Sequence, residues 1–292
     1  VDATSLTASA VTGIDLDTTI ATLTSANVSG TGAIDISDTA GGLTVTSATT
    51  ADGAITLNAT GGDLTLTTVT ATGAARNITA TTTTSGNIIV GNVTAAGDDI
   101  SLTTAAGGAI NEDGTADAAA DITADTATLS SDTGIGAAAQ LEINLTTLTS
   151  AAVSGTGAIN LSDTAGGLTV TSATTADGAI TLNATGGDLT LTTVTATGTA
   201  RNITATTTTS GNIVVGNVTA AGDNVSLTTA AGGAIDEDGT ADAAADITAG
   251  TATLSSATGI GAAAQLEIDL TTLTSAAVSG AGAINLSDTT GG

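Results

Sequence analysis

Two acidic segments, Asn111-Glu112-Asp113-Gly114 and Asp236-Glu237-Asp238-Gly239, contain the side chains of this chain that are best suited to chemistry. Asp117 follows the first segment and Asp242 follows the second. Calcium prefers carboxylate and carbonyl oxygens of this kind. The spacing, however, is neither that of an EF-hand loop nor that of the Gly-Gly-x-Gly-x-Asp nonapeptide. The residues therefore favour diffuse counter-ion screening, with weakly bound Ca²⁺ as the alternative, and we assign no metal ligand.

Carboxylates can also work as a general acid and base, and the chain has 28 acidic residues. Many of them lie in Gly-Asp turns, where an aspartate usually serves to form the turn. Polysaccharide-cleaving β-helices normally add aromatic platforms and basic groups, but this chain has no aromatic residue and only two arginines, Arg76 and Arg201. We expect each arginine to pair with a nearby aspartate. The sequence predicts no catalytic residue, no cofactor-binding residue and no enzyme activity.

The net charge of -26 limits the kinds of partner that the chain can bind. Phosphate-backbone binding depends on lysine and arginine, so nucleic acid is excluded as a partner. No apolar run approaches the roughly 18 residues of a membrane-spanning helix, and we expect no membrane insertion. The chain has no cysteine and no lysine, so disulfide and Lys-Asn cross-links are excluded.

Long tandem repeats dominate the sequence. Arg76 recurs as Arg201, an offset of 125 residues, and the repeats align without gaps and differ at ten positions. Near-identity of long copies indicates recent duplication. We expect residues 1–292 to form one continuous solenoid that is a window of a longer array. Its segments are 1–30, a divergent partial copy, then the two full copies 31–155 and 156–280, and 281–292, the start of the next copy.

A shorter rhythm of alternating apolar and hydroxyl residues runs inside each copy, as in Leu43-Thr44-Val45-Thr46 and Leu64-Thr65-Leu66-Thr67. This is the period of a β-strand with one buried face. Gly-Gly and Gly-Asp pairs between the segments indicate turns. Apolar strand starts are predicted at Ile34, Leu43, Ile55, Leu64, Ile78, Ile89, Ile100 and Ile110.

This spacing predicts an all-β fold, a parallel β-helix whose coils are about 21–25 residues long. We expect a strand, a turn, a second strand and a turn in each coil, with a third short strand in some. At roughly 21 residues per coil the chain would make about 14 coils. The alanine-rich segment from Glu112 to Ala139 is irregular enough for a helical turn or an outward loop. An antiparallel sandwich or barrel and a disordered chain are the alternatives.

Thr-x-Thr rows, as in residues 64–70 and 78–84, resemble the flat ice-binding faces of some β-solenoids. The strands vary so much in their spacing that we expect no single regular array from them. An ice-binding solenoid and a calcium-stabilised one are therefore minor alternatives.

Asn-x-Ser/Thr sequons are frequent, because Asn is often followed by the alternating Thr or Ser of a strand. Outward Asn and Thr rows would be accessible to a surface glycosylation system, if the cell has one.

With Gly61-Gly62-Asp63-Leu64-Thr65-Leu66-Thr67 and residues 96–103, Ala-Gly-Asp-Asp-Ile-Ser-Leu-Thr, the chain resembles the repeat regions of bacterial exoproteins of the filamentous haemagglutinin type. The resemblance covers essentially the whole chain and rests on residue composition and repeat pattern, not on a signature motif. It implies a right-handed parallel β-helix, secretion, and a role in adhesion, biofilm or surface architecture.

Two kinds of function follow from this resemblance and from the repeats. In the first, the region is an extracellular, structural fibre or stalk of a large cell-surface adhesin. In the second, it is a subunit of a self-associating extracellular filament or sheath. The partners would then be other copies of the chain, end to end or side by side, or other cell-surface components.

Overall fold

The structure is a computed structural model that describes residues 1–39, 41–73, 76–114, 118–198, 201–239 and 244–290. In these residues every named strand pair is parallel and no helix occurs. The chain is an all-β, parallel β-solenoid of about 12 turns, so the predicted fold class is confirmed. It consists of two compact units, Val1–Leu145 and Thr146–Gly292.

The strands of the first unit are β1 (Asp2–Ala10), β2 (Ile14–Thr31), β3 (Ile34–Asp38), β4 (Leu43–Val45), β5 (Ala48–Asp52), β6 (Ile55–Ala59), β7 (Leu64–Ala71), β8 (Ile78–Thr82), β9 (Ile88–Thr103), β10 (Ile110–Glu112), β11 (Ile122–Ser131) and β12 (Leu141–Asn144).

The strands of the second unit are β13 (Thr147–Thr156), β14 (Ile159–Asp163), β15 (Leu168–Val170), β16 (Ala173–Asp177), β17 (Ile180–Ala184), β18 (Leu189–Ala196), β19 (Ile203–Thr207), β20 (Ile213–Thr228), β21 (Ala234–Glu237), β22 (Ile247–Ser256), β23 (Gly259–Ile260), β24 (Leu266–Val278) and β25 (Leu286–Asp288).

Side chains alternate between the interior and the surface in each strand. In β6, for example, Ile55, Leu57 and Ala59 are fully buried, whereas Thr56 and Asn58 are half-buried on the outside. β-branched threonine fits this half-exposed position on a pleated strand. The core is therefore built from columns of Leu, Ile, Val and Ala.

Each coil contributes strands to three stacks, which we call face A, face B and face C. In the first unit, face A contains β3, β6 and β8, face B contains β4 and β10, and face C contains β5 and the start of β11. In the second unit, face A contains β14, β17 and β19, face B contains β15 and β21, and face C contains β16 and the start of β22. The longer strands β7, β9, β18 and β20 pass from one face to the next.

Coils differ in length while their strands stay in register. Ile34 aligns with Ile55 and Ile55 aligns with Ile78, so the second of these two coils is slightly longer than the first. The coil that passes through the acidic segment is longer still, since Val93 aligns with Ile122. These long coils explain why the chain makes about 12 turns and not the predicted 14 or so. The third strand, expected in some coils only, is a regular part of both units.

One local prediction was wrong, and one of two alternatives was not observed. Ile88 and Val90 point inward and Ile89 points outward, one residue away from the predicted strand start. Because strand side chains alternate, a shift of one residue exchanges the inward and outward sides of the strand. Three consecutive apolar residues in the sequence do not reveal such a shift. In the segment from Glu112 to Ala139, the described residues contain strand β11 and form no helical turn, so the outward loop is the alternative that stays a prediction.

Turns are closed by hydroxyl groups that point inward at the ends of strands. Thr82 Oγ1 donates to the carbonyl of Gly86 at 2.9 Å, and it accepts a hydrogen bond from the N–H of Ala105 in the next coil at 3.0 Å. Thr207 makes the same two bonds with Gly211 and Ala230. A buried hydroxyl thus finds a donor and an acceptor at the corner of the solenoid.

Glycine is required where these turns stack closely. Gly211 has a φ of 111°, and a Cβ atom there would overlap the carbonyl oxygen of Gly187 in the preceding coil. Gly211→Ala should therefore lower the free energy of unfolding by about 2 kcal/mol or more. Thermal unfolding followed by far-UV circular dichroism measures the effect.

Gly186→Ala is the matched control, because the nearest atom to its added Cβ is 3.9 Å away and Gly186 has no positive φ. An equal loss of stability in both variants would contradict the role of close stacking at Gly211.

Candidate functional site

Among the described residues, each unit contains one cluster of three carboxylates. In the first unit it consists of Glu112, Asp121 and Glu142, each of which contributes a carboxylate oxygen within 4.8 Å of the other two. In the second unit Glu237, Asp246 and Glu267 form the same arrangement. The glutamate at the end of face B and the aspartate are buried in both clusters, and the third carboxylate is half-buried.

The strand register brings the first glutamate into the interior. Leu66 aligns with Val90, and Val90 aligns with Glu112 at the end of β10. The preceding coils thus place apolar side chains in this inward column, and the next coil places a glutamate there. The Glu237 side chain reaches the same place through its alignment with Val215.

The other two carboxylates lie one coil apart and are joined by backbone hydrogen bonds. The N–H of Asp246 donates to the carbonyl of Glu267 at 2.9 Å, and the N–H of Glu267 donates to Oδ2 of Asp246 at 2.8 Å. The carbonyl of Asp246 accepts from the N–H of Val218 at 2.7 Å. Asp246 is thus fixed at the corner between faces B and C by the coils on either side of it.

A small cavity adjoins each cluster. In the second unit it has a volume of about 190 Å³ and is lined by Thr192, Gly216, Asn217, Asp238 and Asp246, together with Ala244 and Ala245. A Cβ atom on Gly216 would lie 3.1 Å from Oδ2 of Asp238 and 2.8 Å from the carbonyl oxygen of Thr192. Glycine at this position therefore leaves room for a fourth carboxylate, that of Asp238, beside the cluster.

Burial and like charge disfavour full ionisation of the second cluster. The pKa of Asp246 is raised to about 7, first because burial removes water from its carboxylate and then because Glu237 and Glu267 are negatively charged nearby. The backbone hydrogen bond from Glu267 lowers this pKa but does not offset the other effects. A cluster of this kind can hold a proton near neutral pH, and its hard oxygens are also of the type that divalent cations bind.

The structure brings together only part of the predicted acidic segment. Glu112 and Glu237 enter the clusters, whereas Asp113 and Asp238 are exposed and line the cavities. Asn111 and Asp236 are half-buried on the outside of face B. Asp117 and Asp242 lie outside the described residues.

Sequence reasoning missed Asp121, Glu142, Asp246 and Glu267. The available signal was their separation, because each aspartate precedes its glutamate by 21 residues, which is the length of one coil. Carboxylates one coil apart stack on each other in a parallel solenoid.

Both arginines form the ion pairs that the sequence predicted. Nη2 of Arg76 contacts Oδ1 of Asp52, and Nη2 of Arg201 contacts Oδ1 of Asp177. The guanidinium group lies over the backbone of Gly73 in the first pair and of Gly198 in the second, and both glycines have positive φ. The two arginine side chains thus link neighbouring coils through ion pairs.

Together, the fold and the clusters define a parallel β-solenoid with a buried carboxylate triad duplicated along its sequence. No family model, no curated protein and no solved structure matches the chain. The resemblance to haemagglutinin-type repeats therefore stays a prediction, as do its right-handed coil and the expected lack of enzyme activity and cofactor. Within the described residues, no helix is long and apolar enough to cross a membrane.

The raised pKa of Asp246 predicts how stability depends on pH. Between about pH 4 and pH 7 the unfolded chain loses this proton while the folded chain retains it, so the free energy of unfolding falls as the pH rises. Asp246→Asn should flatten this part of the curve and stabilise the chain at pH 8, by on the order of 2 kcal/mol. Chemical denaturation at a series of pH values measures both effects.

Asp125→Asn removes an exposed carboxylate and is the control for the change in net charge. If it flattens the pH curve as much as Asp246→Asn does, the dependence arises from net charge and not from the buried cluster.

A comparison of Ca²⁺ with Mg²⁺ distinguishes diffuse screening from binding at a specific site. If screening dominates, as the sequence predicts, Ca²⁺ and Mg²⁺ at equal concentration should raise the thermal midpoint equally at pH 8, because both carry the same charge. Differential scanning calorimetry with and without chelator tests this. A Ca²⁺-selective stabilisation that disappears in Asp246→Asn would contradict screening and locate a specific site at the cluster.

Proposed function

We propose that the chain is a structural repeat region that forms a stiff extracellular fibre or stalk of a large, secreted cell-surface adhesin. The observation that carries this proposal is the register between coils. Ile159, Ile180 and Ile203 align in one inward column of face A, and Val225 continues it in the next coil. Each coil buries its apolar residues against its neighbours, as solenoid repeats do.

Backbone hydrogen bonding supports a mechanical role. Strands of face A, face B and face C pair with the next coil in each unit, so several main-chain bonds must break together to separate two coils. The chain has no cysteine and no lysine that could add covalent cross-links. Resistance to extension would come from these parallel ladders.

The repeats support a function that depends on length. Residues 31–155 and 156–280 are nearly identical, and duplication adds further coils of the same kind. The net charge of -26 would keep such a surface hydrated and would discourage non-specific clumping.

A self-associating filament or sheath subunit is the second candidate. The same parallel coils that stack within each unit could stack between chains, since unpaired strand edges are templates for pairing. Such stacking would repeat the parallel pairing that already joins coils within each unit, as between Leu168 and Leu189.

Chains with one, two and three copies of residues 156–280 provide the test. If the repeat builds a stalk, each added copy should lengthen a monomeric particle by a constant increment of about 25 Å, the rise of roughly five coils. Cryo-electron microscopy and small-angle scattering measure the length, and sedimentation velocity measures the mass. A repeat of about 4.8 Å along the particle is expected from strand stacking.

The control is Leu191→Asp in one copy, which places a charge at a fully buried position and should break the stack there. No constant increment and no strand repeat would refute the stalk. Concentration-dependent end-to-end growth would favour the filament instead.

A further inference from the structure

Face A of the second unit carries two parallel columns of small, uncharged polar side chains. All ten are half-buried and point outward. The first column consists of Asn160, Thr181, Thr204, Ser226 and Thr253, and the second consists of Ser162, Asn183, Thr206, Thr228 and Ser255.

The register makes these columns a regular lattice. Thr181 aligns with Thr204 and Asn183 aligns with Thr206, and the same alignment continues to the next coils. Neighbours in a column are therefore about 4.8 Å apart and neighbours across the columns about 6.6 Å apart. We expected from the sequence that variable spacing would prevent such an array. That expectation was wrong, because the extra residues lie in turns or in the β-bulge before face A and leave the face A strands aligned.

Face A and the residues directly beside its strands carry fewer charges in the second copy than in the first. Asp35, Asp99, Asp125 and Asp132 of the first copy lie on face A or directly beside its strands. Their counterparts in the second copy carry no charge. These counterparts are Asn160, Asn224, Gly250 and Ala257.

The two acidic residues gained by the second copy lie elsewhere. Asp236 is on face B and Asp269 is on face C. The second copy thus combines an acidic surface with one face whose ten outward side chains are uncharged, with Asp223 retained beside Asn224 at its rim.

Hydrogen bonds fix one rim of the face. The side-chain amide of Asn224 donates to Oδ1 of Asn202 at 2.9 Å, and the backbone N–H of Asn224 donates to the same oxygen at 3.2 Å. The hydroxyl of Thr251 donates to Oδ1 of Asn224. These bonds hold Asn202, Asn224 and Thr251 in place as a third column at the rim, so these side chains lose little conformational entropy on binding.

An uncharged lattice of hydroxyl, amide and methyl groups, spaced by the strand register, selects a partner that is itself periodic, neutral and rich in hydrogen-bonding groups. An ordered water layer on ice meets all three requirements, and its oxygen atoms repeat at a distance close to the strand spacing. Threonine suits such a layer, because its hydroxyl bonds to lattice water while its methyl group excludes mobile water.

A second copy of the chain fits this face less well. Five strands at about 4.8 Å, each covering about 16 Å, present only about 400 Å². A stable protein interface needs about 800 Å² from each partner. A crystalline polysaccharide is also disfavoured, since the chain has no aromatic side chain on which sugar rings could stack.

We propose that face A of the second unit binds ice through its two columns of Thr, Ser and Asn side chains. This activity is independent of the stalk or filament function, since a fibre region can carry a binding face along its side.

The test measures inhibition of ice recrystallisation and incorporation into a slowly growing ice hemisphere. The unmodified chain should be active in both. Thr204→Lys with Thr206→Lys should lower the activity by about ten-fold, the factor that corresponds to about 1.4 kcal/mol of lost binding free energy. Thr190→Lys, at a half-buried outward position of face B, is the matched control and should retain the activity.

A gentler variant, Asn160→Asp with Asn224→Asp, restores the residues that the first copy carries at these positions. It is expected to fold normally, because the first unit folds with Asp35 and Asp99, and to lose ice activity. Circular dichroism verifies that each variant is folded.

Three results would overturn the proposal. The first is an unmodified chain that neither inhibits recrystallisation nor enters ice. The second is an equal loss of activity in the face A and face B variants. The third is face A-dependent self-association in sedimentation velocity, or face A-dependent retention on crystalline cellulose, without ice activity.

Discussion

Backbone hydrogen bonding between successive coils is the constraint on which the rest of this structure depends. Within each face, parallel pairing in register places inward residues on the inward residues of the next coil, so that aliphatic side chains form columns. The columns hold Leu, Ile, Val and Ala without any aromatic residue, because a solenoid needs only a thin core. Additional residues are accommodated in turns and in β-bulges between the faces, and the ladder resumes in register on the next face.

The same constraint makes the buried carboxylates costly. Glu112 and Glu237 occupy an inward column in which the preceding coils have Val90 and Val215, and each meets two further carboxylates. Hydrogen bonds from the neighbouring coil hold the second cluster together, while burial and like charge raise the pKa of Asp246. The second cluster is therefore a place where protonation can influence how tightly two coils stack.

The outward positions are free to vary, and the two copies show how that freedom is used. Inward differences between the copies are conservative, such as Ile36 to Leu161 and Ile100 to Val225. Six of the differences, all at half-buried or exposed positions, change charge and redistribute it among the three faces. The interior thus preserves the register, and the surface can acquire a separate binding property without a change of fold.

Composition and period were enough to predict an all-β parallel solenoid, most strand starts and the pairing of both arginines, because alternation and glycine turns are local signals. Local signals could not show that Ile89 points outward, because three consecutive apolar residues do not reveal which of them face the core. They also could not show that a third strand occurs regularly in the coils. The carboxylate clusters and the regular face A array both require knowledge of which residues lie one coil apart. That separation differs from coil to coil, as the aligned pairs Ile34–Ile55 and Val93–Ile122 show, and only the stacked tertiary structure fixes it.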